Sequence, residues 1–147
     1  MKAVGVYNYG GPEALQIVDL PETHAGQGEV RLRVYAATVN PTDILVRNGS
    51  KAEAQKAEPG PYVPGMDAAG VVDEVGQGVT TGIAVGDRVM AIVIPKGTHG
   101  AYSQSLVLPA ESVTHAPAGS SASHTNEPST RRASTPGAAP SAWTRCV

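Results

Sequence analysis

The stretch "EVRLRVYAATV", residues 29–39, alternates apolar and polar side chains and then runs straight into "NPTD". Alternation of this kind puts successive side chains on opposite faces of a strand. Val30, Leu32, Val34 and Ala36 fall on one face, and Arg31, Arg33 and Tyr35 on the other. Such a strand needs a core on one side and further strands beside it. The chain provides them in "KAVGVY", "ALQIVDL", "GVVDEV", "DRVMAIVI" and "AYSQSLVL". The first two are separated by the turn residues of "NYGGPE" and can pair as a hairpin. "GQG", "VGD" and "KGTHG" punctuate the later ones. Many short strands with glycine-rich turns predict a mainly β chain, an antiparallel barrel or sandwich.

"PTDILVRN" breaks the pattern. Proline is pre-set for the first helical position, and asparagine before it is a strong cap. Asp43 then falls at the third helical position, where its carboxylate can reach back to the cap. Asn48-Gly49 supplies a stop. The spacing predicts a short helix near 41–48 of about two turns. Residues 50–65 read as a surface loop, broken by Pro59, Gly60, Pro61, Pro64 and Gly65. On local chemistry alone "NPTD" is a helix start. A helix start also presents free N–H groups to an anion or a developing oxyanion, so a site at the same place is compatible with it.

Composition bounds the rest. The net charge is −2 and the sequence pI about 6.0, with lysine and arginine scattered, which argues against nucleic acid and anionic membranes as partners. No stretch approaches the roughly 20 apolar residues of a membrane span. The opening "MKAVGVYNYGG" has no continuous apolar run of signal-peptide length, so a cytoplasmic setting is expected. The one cysteine, Cys146, leaves no internal disulfide. Residues 119–147 contain no Leu, Ile, Met, Phe or Tyr and are dominated by Ser, Thr, Ala, Pro and Gly. They are expected to form a low-complexity, disordered tail beside a folded domain at 1–118.

Several pieces in order carry a family resemblance: "AATVNPTDILVRNG", then "YVPGMDAAGVVDEVGQGVTTGIAVGDRVMA", then "GAYSQSLVLPAESV" and "HAPAG". This series resembles the GroES-like catalytic domain of the medium-chain dehydrogenase/reductase superfamily, and within it the zinc-free quinone oxidoreductases. The resemblance covers roughly residues 1–119. It implies a partly open GroES-like β-barrel. Zinc-dependent members carry a ligand cysteine where this chain has Asn40, and a ligand histidine where it has Met66, with Asp67 in the place of a glutamate. Amide and thioether side chains are poor zinc ligands, so no metal is expected. His24, His99, His115 and His124 show no ligand spacing.

The zinc-free members reduce an electron-poor carbonyl, enone or quinone with NADPH in a cleft between two domains. The resemblance therefore implies a small-molecule substrate and makes Asn40, Thr42 and Asp43 candidate catalytic residues. Asn40 is expected to donate a hydrogen bond to a substrate oxygen, Thr42 to relay a proton, and Asp43 to act as cap partner or catalyst. Met66 and Asp67 are candidate cleft residues.

Two other constellations carry less. Gly76, Gly78 and Gly82 do not have Gly-x-Gly-x-x-Gly spacing and read as a turn. Ser103 and Ser105 lack a nucleophile elbow. Beyond "HAPAG" no glycine fingerprint or βαβ pattern follows, so no Rossmann domain is expected in this chain and cofactor-binding residues stay unassigned. The tail reads as an aberrant C-terminus, such as a frameshifted translation, and tight NADPH binding by this chain alone is not expected. Three readings stand open: the catalytic domain of an NADPH-dependent oxidoreductase, a non-enzymatic GroES-like binding module, and a non-functional fragment.

Overall fold

The computed structural model describes residues 1–55 and 58–118. The expected disordered tail at 119–147 lies outside the described residues. Among those described, seven strands form two antiparallel sheets. Strands β1 (Lys2–Gly5) and β2 (Gln16–Asp19) pair as the expected hairpin. Strands β3 (Glu29–Ala37), β4 (Asp67–Val75), β5 (Arg88–Ile92), β6 (Ser105–Pro109) and β7 (Val113–His115) form a five-stranded sheet in the order β6-β3-β4-β5-β7. The hairpin is stitched to the larger sheet through Val4 and Lys2, which bond to the backbone of Tyr102 and Gln104. Val6 and Tyr62 exchange a second pair of bonds. The sheets curl around a shared interior without closing, which makes a partly open barrel. No helix among the described residues is long and apolar enough to cross a membrane.

The interior follows the alternation. Val30 and Leu32 of β3 meet Val72 of β4, Val89 of β5 and Leu106 and Leu108 of β6 in one buried cluster. A smaller cluster of Ala3, Val18, Leu20 and Val63 sits under the hairpin. On the opposite face of β3, Arg31 bonds Asp73 at 2.8 Å and Glu74 at 3.1 Å. The alternation does not hold to the end of β3. The register runs Val34↔Gly70 and then Ala36↔Ala69, so Tyr35 is the extra residue of a β-bulge. This bulge shifts the phase, and Ala37 rather than Ala36 is the buried alanine. The bulge also turns the strand end, which leads directly into Thr38 and Asn40.

Two further expectations need correction. Residues 50–65 are not all loop: Ala52–Gln55 form a short helix, α2. Alanine, glutamate and glutamine are good helix formers, and the proline and glycine signals lie only downstream of them. The run "AYSQSLVL" joins the sheet only from Ser105 onward, because residues 102–104 bond to β1. The helix expected near 41–48 is α1, Pro41–Arg47, stopped at Asn48 and followed by Gly49 with φ +85°.

Gly70 shows how tightly β3 and β4 approach at the bulge. A Cβ built there lies 2.0 Å from the carbonyl oxygen of Arg33, a backbone atom that cannot swing aside. Gly70→Ala should therefore destabilise the domain by about 3 kcal/mol, at the upper end for overpacking. Urea unfolding followed by circular dichroism measures it; a midpoint equal to wild type would mean that the two strands can separate at no cost.

Candidate functional site

Helix α1 starts at the place where β3 ends, and its first turn is held by one carboxylate. Asp43 is buried, with 4% of its surface exposed. Its Oδ2 accepts the Asn40 backbone N–H at 2.7 Å, the carboxylate half of a capping box. Its Oδ1 accepts the Gly65 N–H at 2.7 Å. The Tyr102 hydroxyl approaches Oδ2 at 3.4 Å and the Thr38 carbonyl at 3.3 Å. Gly65 has φ +109°, and a Cβ on it would lie 2.7 Å from the Ala101 backbone nitrogen, so only glycine fits there. Asp43 thus ties the helix start to the residues that lead into β4.

Asn40 uses its side chain differently from a simple cap. Its amide nitrogen donates to Asp67 Oδ2 at 2.6 Å and to Thr38 Oγ1 at 2.9 Å. The Thr38 hydroxyl in turn donates to Asp67 Oδ2 at 2.8 Å. A carboxylate only accepts, which fixes the orientation of the amide. The amide nitrogen thus donates to a pair of groups that are themselves bonded to each other, on the Thr38–Asp67 side of the site.

Thr42 and Met66 are half-buried and line one cavity of about 210 Å³, together with Val46, Lys51, Gln55 and Ile94. Five of the sequence candidates are thus gathered in one region: Asn40 bonds both Asp43 and Asp67, and Thr42 shares its cavity with Met66. Thr38, Gly65, Tyr102, Lys51 and Gln55 were not singled out from sequence. Lys51 and Gln55 are four residues apart, a helical spacing that could have drawn attention to them. The contact of Tyr102 with Thr38 and Asp43 spans about sixty residues and left no local signal.

Other titratable groups stand apart. His24 lies against Glu74 and His115 against Asp87, both at the surface. Burial pushes the His99 imidazole below its usual range, against an opposing pull from Glu29. Ser103 Oγ donates to backbone carbonyls, and Ser105 Oγ lies on the Met1 sulfur. The pair at Asn40 and Met66 offers an amide and a thioether, a donor set that does not suit zinc. Among the described residues no three His, Cys, Asp or Glu side chains gather as a metal site.

A partly open β-barrel with a capped helix start facing an aspartate at a strand entry is consistent with a GroES-like domain. Residues 26–118 match the alcohol dehydrogenase GroES-like domain family, and the chain belongs to it. Within the medium-chain dehydrogenase/reductase superfamily it is quinone oxidoreductase-like. It is 33% identical over 110 residues to a quinone oxidoreductase of Rattus norvegicus, covering 71% of this chain and 31% of that protein. It is 39% identical over 115 residues to a 2-haloacrylate reductase of a Burkholderia species, covering 78% of this chain and 33% of that one. Among solved structures, the Escherichia coli quinone oxidoreductase complexed with NADPH superposes with a TM-score of 0.67 at 30% identity, covering 82% of this chain and 35% of that one. The chain spans about a third of the length of these relatives.

The double role of Asp43 gives a direct test. Asp43→Asn places an NH₂ group against one of two backbone N–H donors and leaves a buried donor unmatched. The expected cost is about 3 kcal/mol, read as a lower urea midpoint with an unchanged slope. A midpoint within error of wild type would show that α1 and Gly65 do not depend on the carboxylate.

Proposed function

We propose that these residues form the substrate side of an NADPH-dependent reductase acting on an electron-poor carbonyl, enone or quinone. The observation that carries the reading is the cavity beside the Asn40–Asp67 pair, in a chain of the quinone oxidoreductase-like family. A relative of known structure is a quinone oxidoreductase complexed with NADPH, and another relative is a 2-haloacrylate reductase, which supports a conjugated small molecule, reduced in the reaction, as substrate. Cytoplasmic localisation goes with this reading.

The roles follow from the hydrogen bonds. Thr42 has a hydroxyl that can both donate and accept and that borders the cavity; it is the proton relay. The Asn40 amide already donates to Asp67 and Thr38, so it serves as a positioning residue that ties the end of β3 to Asp67. Asp43 positions the helix start, and Met66 lines the cleft. NADPH supplies a hydride when bound. The described residues do not fit it: no glycine-rich loop between a strand and a helix is present to hold a pyrophosphate. No step is therefore assigned through the cofactor, and the 147-residue chain alone is expected to be inert. Apolar side chains around the site stand open to solvent. Val39 precedes Asn40, Ile44 follows Asp43, and Ile92 is the register partner of Asp67. A nucleotide-binding half packed there would cover them.

Titration of the purified chain with NADPH, followed by nicotinamide fluorescence, should give no saturable micromolar binding and no quinone-dependent oxidation above buffer. Residues 1–118 fused in frame to the nucleotide-binding half of the Escherichia coli relative should oxidise NADPH with quinone. In that fusion Thr42→Val should lower kcat by about a hundredfold, the lower range for a lost proton relay. Saturable binding by the chain alone would overturn its inertness, and an unaffected Thr42→Val fusion would remove Thr42 from the mechanism.

A further inference from the structure

The cavity beside Thr42 holds two polar groups that the Asn40 cluster does not use. Gln55, on α2, is 5% exposed and lines the cavity. Its Oε1 lies 3.5 Å from the Tyr9 hydroxyl, and its amide NH₂ is a donor that a ligand in the cavity can meet. Lys51 precedes α2, and its carbonyl accepts the Gln55 N–H at 3.2 Å, so both side chains leave the same turn. The second lysine of the cavity, Lys96, is held by Glu58 at 2.6 Å. Among the described residues Lys51 has no such ion pair, and its charge is available to the cavity.

We infer that Lys51 and Gln55 form an anion-binding end of this cavity, and that the substrate is a short α,β-unsaturated carboxylate. The inference rests on the reading of this cleft as the substrate side. A ketone oxygen offers two lone pairs, whereas a carboxylate offers about four on two oxygens and a full charge. Lys51, Gln55 and the Thr42 hydroxyl are three donors, one of them charged, and they match the carboxylate better. Val46, Ile94 and Pro95 provide apolar walls for a hydrocarbon body and no partner for a second charge. The volume of about 210 Å³ is below the roughly 300 Å³ at which pockets for drug-sized ligands begin, which restricts the body to a few carbons.

The test is a ¹H–¹⁵N titration of the full chain with three probes: crotonate, crotonamide and cyclohex-2-enone. Crotonate should shift the Gln55 side-chain amide and the Thr42 N–H and bind about fivefold tighter than crotonamide, the scale of a partly exposed ion pair. Added salt should narrow that difference. Lys51→Met and Lys51→Gln should abolish the preference, Lys51→Arg should retain it, and all three should still bind cyclohexenone. Equal binding of crotonate and crotonamide, with cyclohexenone still in the cavity, would overturn the anion end and leave the substrate-side reading intact. If none of the probes shifts Thr42, Met66 or Gln55, both fall together. A crotonate preference that survives Lys51→Met would also overturn the assignment, since the charge would then come from elsewhere.

Discussion

The carboxylate of Asp43 is the constraint on which the arrangement of this domain's cleft depends. It receives two backbone N–H groups from segments more than twenty residues apart, Asn40 at the start of α1 and Gly65 before β4. Each bond to an ionised acceptor in a buried place is worth more than a neutral one. Other bonds hold each segment, the Asn40 amide on Asp67 and the Gly65 carbonyl on the Ala101 N–H at 3.0 Å, and the Asp43 carboxylate joins the two segments to each other. With Asp43 in place, Thr42 and Met66, the neighbours of these two anchors, are brought to one cavity.

A second carboxylate sets the chemistry. Asp67 draws both the Asn40 amide and the Thr38 hydroxyl toward the entry of β4. Zinc-dependent relatives place metal ligands where Asn40 and Met66 stand. Here a hydrogen-bonded polar cluster occupies one position and a thioether the other. In the proposed function, the donors offered to a substrate are Thr42, Gln55 and Lys51 rather than Asn40. Thr42 belongs to the first turn of α1, whereas Lys51 and Gln55 come from the turn that opens α2 after the stop at Asn48-Gly49.

Much of this was legible from residue chemistry. The alternation in β3 gave the buried Val30 and Leu32 correctly, and "NPTDILVRNG" gave the helix with its Asp43 cap because capping depends on residues three apart. The bulge at Tyr35 was not legible, since it arises from the register against Gly70 on a strand more than thirty residues away. α2 was obscured because nearby prolines outweighed four helix-favouring residues. The site was legible in part: Asn40, Asp43, Met66 and Asp67 are local motif positions, but the direction of the Asn40 amide depends on which group lies opposite it in space. The opposing group accepts hydrogen bonds rather than offering them, and no sequence spacing reports that.

The central claim is that the Asn40 side-chain amide is engaged by Asp67 and Thr38. Side-chain amide exchange in the full chain measures it directly. The two Asn40 Nδ2 protons should exchange well below the rate of the exposed Asn48 amide at neutral pH, and Asp67→Asn should bring them up to that rate. Asn40 protons that exchange as fast as those of Asn48 in the wild-type chain would contradict the account and return Asn40 to the role of a free donor in the cleft.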